Sequence, residues 1–143
     1  MVLTVLIDTN VLLDDLLVRE PHAAASRQIV ELCNAGSISG VIAAHSISNM
    51  FYILRKAYAP SERRKLLLAI CGMLPVVGID ADKILSAMKD ENFLDFEDCL
   101  QEKCALERGV DYIVTWNGKD FSSGSIPTLT PPELLQMIET TQI

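Results

Sequence analysis

Apolar positions along this chain recur with two different periods, and each change of period marks an element. Val2 to Ile7, VLTVLI, is a strand-length apolar run rich in β-branched residues, the pattern of a central parallel strand covered on both faces. Asp8 ends it, and Val11, Leu12 and Leu16 then take helical spacing over Val11 to Val18. Pro21 suits the first turn of a second helix, which runs through Ala23, Ile29, Val30, Leu32 and Cys33 to a stop at Asn34-Ala35-Gly36. Ile38 to Ala43 reads as a second strand. His45 to Tyr58 predicts a helix with Ile47, Met50, Phe51, Leu54 and Tyr58 on one stripe and Ser46 as its N-cap.

Pro60-Ser61 opens the next helix, Glu62 to Met73, and Leu74 to Ile79 reads as a third strand. Asp80 caps a helix to about Asp90. After a break at Asn92-Phe93-Leu94, Asp95 opens a helix that ends at Arg108 with Gly109 as a left-handed cap, its residues Phe96, Cys99, Leu100 and Cys104 facing the core. Asp111 to Trp116 is the fourth strand, Asn117 to Ser125 a loop, and Ile126 to Leu129 a short fifth strand. Thr130-Pro131-Pro132-Glu133 starts a terminal helix to about Glu139, with Thr140 to Ile143 frayed. Strands alternate with helices throughout, so an α/β fold follows: a central parallel sheet of four to five strands with helices on both faces.

Composition narrows the picture without changing it. The 143 residues, 50% of them hydrophobic, suit one domain with a sizeable core. No apolar run is long enough to span a membrane and no basic leader with a cleavage site opens the chain, which points to a soluble cytoplasmic protein. Cys33, Cys71, Cys99 and Cys104 form no CxxC pair and no matching spacing with histidine, so they read as buried free thiols. His22 and His45 have no accompanying nucleophile pattern, and Ser–His–Asp chemistry is not supported.

The net charge of −7 argues against a surface that attracts nucleic acid everywhere. The charge is uneven, however. Five of the 12 basic residues, Arg55, Lys56, Arg63, Arg64 and Lys65, fall in one short stretch, and 11 of the 19 acids lie between Asp80 and Asp120. The basic stretch reads either as a solvated helix face or as a local rim for phosphates, and its members at the N-terminal end of the Glu62 helix oppose the helix dipole.

The acids suggest chemistry. Asp8 stands where open α/β sheets place ligands, beyond the carboxyl end of a strand, although an N-cap role for the next helix reads equally well. Asp95 and Asp98 lie three apart on one helix with Glu102 a turn further, and they too serve as cap and first-turn acids. Thr115, Asn117 and Asp120 follow the fourth strand. If these groups meet, a hard divalent cation, Mg²⁺ or Mn²⁺, is the economical partner: two carboxylates about 4 Å apart repel by roughly 4 kcal/mol at a dielectric of 20, and all candidate ligands are oxygen donors. Such an ion serves metal-dependent nucleases and phosphatases.

The residues that carry this chemistry also carry a resemblance. D-T-N-V-L-L-D at Asp8 to Asp14, A-H-S-I-S-N at Ala44 to Asn49, D-F-E-D-C-L at Asp95 to Leu100 and T-W-N-G-K-D-F at Thr115 to Phe121 occur in order at compatible spacings, and together they resemble a PIN domain, the fold of many small metal-dependent ribonucleases including VapC-type toxins. The resemblance runs to about Leu135. It implies an α/β/α sandwich, a metal-binding acid at Asp8 supported by Asn10, and a further acid at Asp98. Two positions depart from the family pattern: Asn49 stands where Glu is usual, and Asn117 where Asp is frequent. Asp95 and Asp120 are the near substitutes, so a single-ion site on Asp8, Asp98 and Asp120, or one completed by substrate phosphate, follows.

The resemblance therefore implies a Mg²⁺- or Mn²⁺-dependent ribonuclease in which Asp8, Asp98, Asp120 and Asp95 do the chemistry. Thr9, Asn10, Asn49, Thr115 and Asn117 position ligands or phosphate, and Arg55, Lys56, Arg63, Arg64 and Lys65 guide the RNA backbone. It also implies an antitoxin-like protein partner and a homodimer. The alternative is a PIN-fold module that binds RNA or a protein without cleaving. A duplex-DNA nuclease fits less well, because the chain lacks an added helical arch and a basic surface to grip a duplex.

Overall fold

A four-residue strand, β1 (Thr4–Ile7), occupies the middle of the sheet and places its carboxyl end between two neighbours. The computed structural model describes residues 2–141. Along the chain β1 is followed by α1 (Thr9–Leu16), α2 (Ala23–Ala35), β2 (Ser39–Ala43), α3 (Ala44–Ile53), α4 (Pro60–Met73), β3 (Val76–Val77), α5 (Ala81–Lys89), α6 (Phe96–Arg108), β4 (Tyr112–Val114), β5 (Thr128–Leu129) and α7 (Pro131–Thr141). The five strands run β3-β2-β1-β4-β5, every pair parallel. Val5 stands opposite Gly40 on one side and Tyr112 on the other.

The period of two along each strand divides the core. Val5 and Ile7 of β1, Ile42 of β2 and Val114 of β4 point to one face, where they pack with Leu12 and Leu13 of α1, Ile29 of α2, Met50 of α3, Leu67 and Ile70 of α4 and Leu134 of α7. Leu6, Val41, Ala43 and Ile113 point to the other, against Cys104 and Ala105 of α6 and Phe121. Ala87 of α5 joins through Cys99 and Leu100. Each fully buried Leu or Ile here stabilises the fold by roughly 1.5–3 kcal/mol. The result is the three-layer α/β/α arrangement that strand–helix alternation predicts.

Local signals were followed closely at some ends and not at others. Gly36 (φ 79°) and Gly109 (φ 68°) close α2 and α6 in the left-handed conformation, and Asp80 and Asp95 cap α5 and α6 by accepting the N–H of Lys83 and of Asp98. The strands are shorter than their apolar runs, because pairing stops before the branched residues do. Pro21 sits in the turn ahead of α2, not in its first turn. Ser46 is not an N-cap: Ala43 holds that position, and Ser46 is fully buried with its hydroxyl accepting from Thr9 Oγ1 at 2.7 Å. The helix expected over His45 to Tyr58 ends at Ile53 and tightens into a 3₁₀ turn, Leu54–Lys56. Cys71 is exposed, unlike the other three cysteines. Phe96 is 40% exposed and does not face the core. Helix α7 extends through Thr140 and Thr141, where fraying was expected; the last two residues of that expectation, 142 and 143, lie outside the described residues.

Candidate active site

The carboxyl ends of β1 and β4, the N-terminal turns of α1 and α6 and one face of α3 enclose a cleft of about 410 Å³. Five carboxylates line it, Asp8, Asp95, Glu97, Asp98 and Asp120, together with Thr9, Asn10, His45, Asn49, Tyr52, Gln101 and Asn117, and no Lys or Arg does. Parallel pairing explains the convergence: β1 and β4 lie side by side in register, with Ile7 opposite Val114, so Asp8 and Thr115 emerge together.

Asp8 decides between its two readings. It occupies the N-cap position of α1, yet its side chain makes no capping hydrogen bond. Its Oδ2 accepts from Thr115 Oγ1 at 2.8 Å and its Oδ1 from Gln101 Nε2 at 3.0 Å, and the residue is 6% exposed. Thr115 Oγ1 in turn accepts the Asn117 N–H at 3.0 Å. A buried carboxylate held by two side chains from α6 and β4 has a fixed orientation, which a cap would not require.

Asp98 carries the electrostatic consequence. Its pKa is pushed up to about 7, first by burial and then by the charges of Asp95, Asp8, Asp120 and Glu97. Asp98 thus feels every other carboxylate of the cleft. Asp95 lines the cleft and caps α6 at once, one oxygen taking the Asp98 N–H at 3.0 Å. His45 Nε2 pairs with the Glu97 carbonyl oxygen at 3.0 Å, and burial holds the ring's pKa below its ordinary value, so the histidine stays neutral among acids.

Sequence reasoning missed five members of this wall, Tyr52 and Ile53 among them. Gln101, His45 and Glu97 are not carboxylate or amide positions of the expected pattern, although Gln101 lies three residues after Asp98 on the same helix face. Glu102, the acid expected on that face, turns away: it is 2% exposed and accepts the Ser125 N–H at 3.0 Å. Glu97 also bears on the departure at Asn49. Asn49 Nδ2 donates to Glu97 Oε2 at 3.2 Å, so an acid from α6 occupies space beside the amide of α3.

The basic stretch lies beside the cleft only in part. Arg55 stacks on the Tyr52 ring, 3.7 Å from its centroid, and donates to the Tyr52 carbonyl oxygen. Arg63 is tied to Phe51 in the same manner, 4.3 Å over its ring. Lys56, Arg64 and Lys65 are exposed and do not line the cleft.

As a metal centre the donor set fits chemically, being all oxygen and rich in charge. Among the described residues, however, no three His, Cys, Asp or Glu side chains stand together as a ready-made cage. No helix among the described residues is long and apolar enough to cross a membrane.

Known proteins share this fold. The chain is 27% identical over 139 residues to "Ribonuclease VapC1" of Aquifex aeolicus (strain VF5), a match covering 92% of this chain and 93% of that protein. Its fold is similar to a chain in the crystal structure of VapBC2 from Rickettsia felis bound to a DNA fragment from their promoter, with TM-score 0.67, 15% identity and coverage of 90% of this chain and 98% of that one. It is similar also to a chain of a toxin-antitoxin complex from Klebsiella pneumoniae, with TM-score 0.64, 22% identity and coverage of 89% and 97%. A model of the PIN domain matches residues 4–119, most of the chain, and the chain belongs to the PIN domain family.

Proposed function

We propose that this protein is a divalent-metal-dependent ribonuclease, with Mg²⁺ or Mn²⁺ held by Asp8, Asp98 and Asp120 and with Asp95 at the edge of the shell. The observation that carries the reading is Asp8, a buried carboxylate that declines its cap and is aimed into a five-carboxylate cleft by Thr115 and Gln101. The ribonuclease named among its relatives supports the same activity here. When bound, a divalent ion acidifies a water and offsets charge at a phosphate.

The chain's own residues do the rest. Thr115 and Gln101 keep Asp8 from rotating out of the cleft. Asp98 holds a proton near neutral pH, because burial first and its four acidic neighbours next disfavour its charged form, and a bound cation would offset both. Asn10, Thr9, Asn49 and Asn117 offer uncharged donors and acceptors to a phosphate. Arg55, seated on Tyr52 at the cleft wall, is the member of the basic stretch best placed to meet the RNA backbone, with Lys56, Arg63, Arg64 and Lys65 more remote.

The test uses purified protein, Mn²⁺ and mixed RNA, compared with Asp8→Asn and Asp98→Asn. Loss of cleavage in both variants supports the reading, and equal cleavage by all three proteins assigns it to a contaminant.

A second reading rests on Asn49 and Asn117 and on the absence of a ready-made cage among the described residues: a module that binds RNA or a protein partner without cutting. Calorimetric titration separates the two, since millimolar Mg²⁺ and Mn²⁺ that leave no heat favour the non-catalytic module.

Two partners belong to the same proposal. The toxin-antitoxin complex among the structural neighbours supports an antitoxin-like protein that occupies the cleft and silences it in the cytoplasm. Exposed Met88 of α5 beside Ile84 and Phe96 supports a second copy of the chain as partner. Light scattering of the purified protein at micromolar concentration reads the mass directly.

A further inference from the structure

The turn that closes α1 carries a backbone outlier. Val18 sits at φ 52°, in the left-handed region that β-branched residues avoid. Its neighbours make the hydrogen bonds of a Schellman closure, Arg19 N–H to the Asp14 carbonyl oxygen at 2.9 Å and Val18 N–H to that of Asp15 at 3.2 Å, with valine where glycine is usual. Backbone strain of this kind persists where the surroundings over-determine it, and it gathers at ligand clamps.

What the closure does is fold Arg19 back along α1. Its Nε lies 2.7 Å from Oδ1 of Asp14, off the line of a hydrogen bond, and Asp14 is only 5% exposed. Its Nη2 reaches the carbonyl oxygen and Oδ1 of Asn10 at 3.3 and 3.4 Å. Asn10 is a wall residue of the cleft. Among the described residues Arg19 is the only Lys or Arg that hydrogen-bonds a side chain of that wall.

We propose that Arg19 binds a backbone phosphate of the RNA next to the one held at Asp8 and Asp98; this rests on the ribonuclease reading above. Among the described residues no Lys or Arg lines the cleft, so a polyanion running through it meets five carboxylates and neutral side chains, with positive charge only at the rim. Arg19, bonded to Asn10 of the wall, is such a cation on the α1 side of the rim, as Arg55 on Tyr52 is on the α3 side. The buried Asp14 fixes one edge of the guanidinium, and the Nη2 contacts to Asn10 are long enough for a phosphate, a charged acceptor, to replace them. The strained turn at Val18 holds the fork against Asn10 of the cleft wall in advance of binding.

A purely structural role, neutralising Asp14, predicts different results. The experiment measures fluorescence anisotropy of a labelled single-stranded RNA, in Ca²⁺ to limit cleavage, over a range of salt. Arg19→Gln weakens binding about tenfold and lowers the slope of log affinity on log salt by about 0.7, the share of one phosphate on a single strand. Arg19→Lys keeps the slope. Because Arg19→Gln strands the Asp14 charge and lowers stability, the double variant Asp14→Asn, Arg19→Gln is measured beside it, and it reproduces the binding defect with the buried charge removed. Wild-type affinity and slope in either glutamine variant overturn the proposal while leaving the ribonuclease reading intact. Absence of salt-dependent RNA binding by the wild-type protein overturns both.

Discussion

Gln101 on α6 donates its Nε2–H to Asp8 Oδ1 across 93 residues of sequence, at 3.0 Å and with both residues buried. Its own Oε1 is buried without a partner. Replacing it with leucine therefore removes one made hydrogen bond and one unmade one, and the two effects offset to within about 1 kcal/mol. The orientation of Asp8 is lost all the same. Supporting residues of metal-ligating carboxylates typically account for 10–100-fold in affinity or activity, and a loss of about that size is expected for RNA cleavage by Gln101→Leu with a melting temperature lowered by no more than about 4 °C. Wild-type turnover in this variant would show that Thr115 alone orients Asp8.

The proton on Asp98 gives the fold a pH dependence of definite sign. In the unfolded chain this carboxyl titrates near 3.8, and in the folded protein near 7. Between those values the folded state holds a proton that the unfolded state has released, so its contribution is complete below the lower value and is lost as pH rises through about 7. In the presence of a chelator the melting temperature falls across this window, and Asp98→Asn flattens that fall. Millimolar Mg²⁺ does the same in the wild-type protein, since a cation takes the place of the proton. An identical pH profile for wild type and Asp98→Asn rules out the coupling.

Val18 offers a stabilising substitution. A non-glycine residue in the left-handed region costs about 1–2 kcal/mol, and glycine's extra backbone freedom in the unfolded chain costs roughly 0.5–1. The side chain is 61% exposed and loses little on removal. Val18→Gly is expected to raise stability by roughly 0.5–1 kcal/mol, read as a shift in the denaturant midpoint at unchanged slope. A lower midpoint would mean that Val18 makes packing contacts worth more than its strain.

These cases mark where the sequence was readable. Asp8 and Thr115 were placed together because β1 and β4 end in the same direction, a consequence of strand–helix alternation that needs no side-chain detail. Gly36 and Gly109 were legible because glycine is the residue that left-handed caps favour, and Val18 was not, because valine is among those they favour least. Gln101 was passed over for a different reason. Positions three and four after Asp98 both lie on its face of the helix, so spacing alone does not choose between Gln101 and Glu102. The Ser125 N–H, which Glu102 accepts, comes from a loop whose path only the folded chain reveals. The exposure of Phe96 follows similarly, its helix burying Cys99, Leu100 and Cys104 while Phe96 stays 40% exposed.

The amide at position 49 leads to the last test. Restoring the acid usual in the family, Asn49→Glu, would place a carboxylate where Nδ2 now donates to Glu97 Oε2 at 3.2 Å. A hydrogen bond becomes a like-charge contact, with Asp98 already short of a full charge at neutral pH. At about 4 Å in a water-screened setting the repulsion is about 1 kcal/mol, and both side chains are open enough for that value to apply. Without divalent ion the variant is therefore expected to melt at a lower temperature than the wild type, and with millimolar Mn²⁺ the difference closes or reverses, because the added ligand binds the ion more tightly. Calorimetric titration measures the same gain as a lower dissociation constant for Mn²⁺. If Asn49→Glu leaves both the metal-free melting temperature and the Mn²⁺ affinity unchanged, Glu97 has swung out of the cleft to make room, and it is then no part of the site.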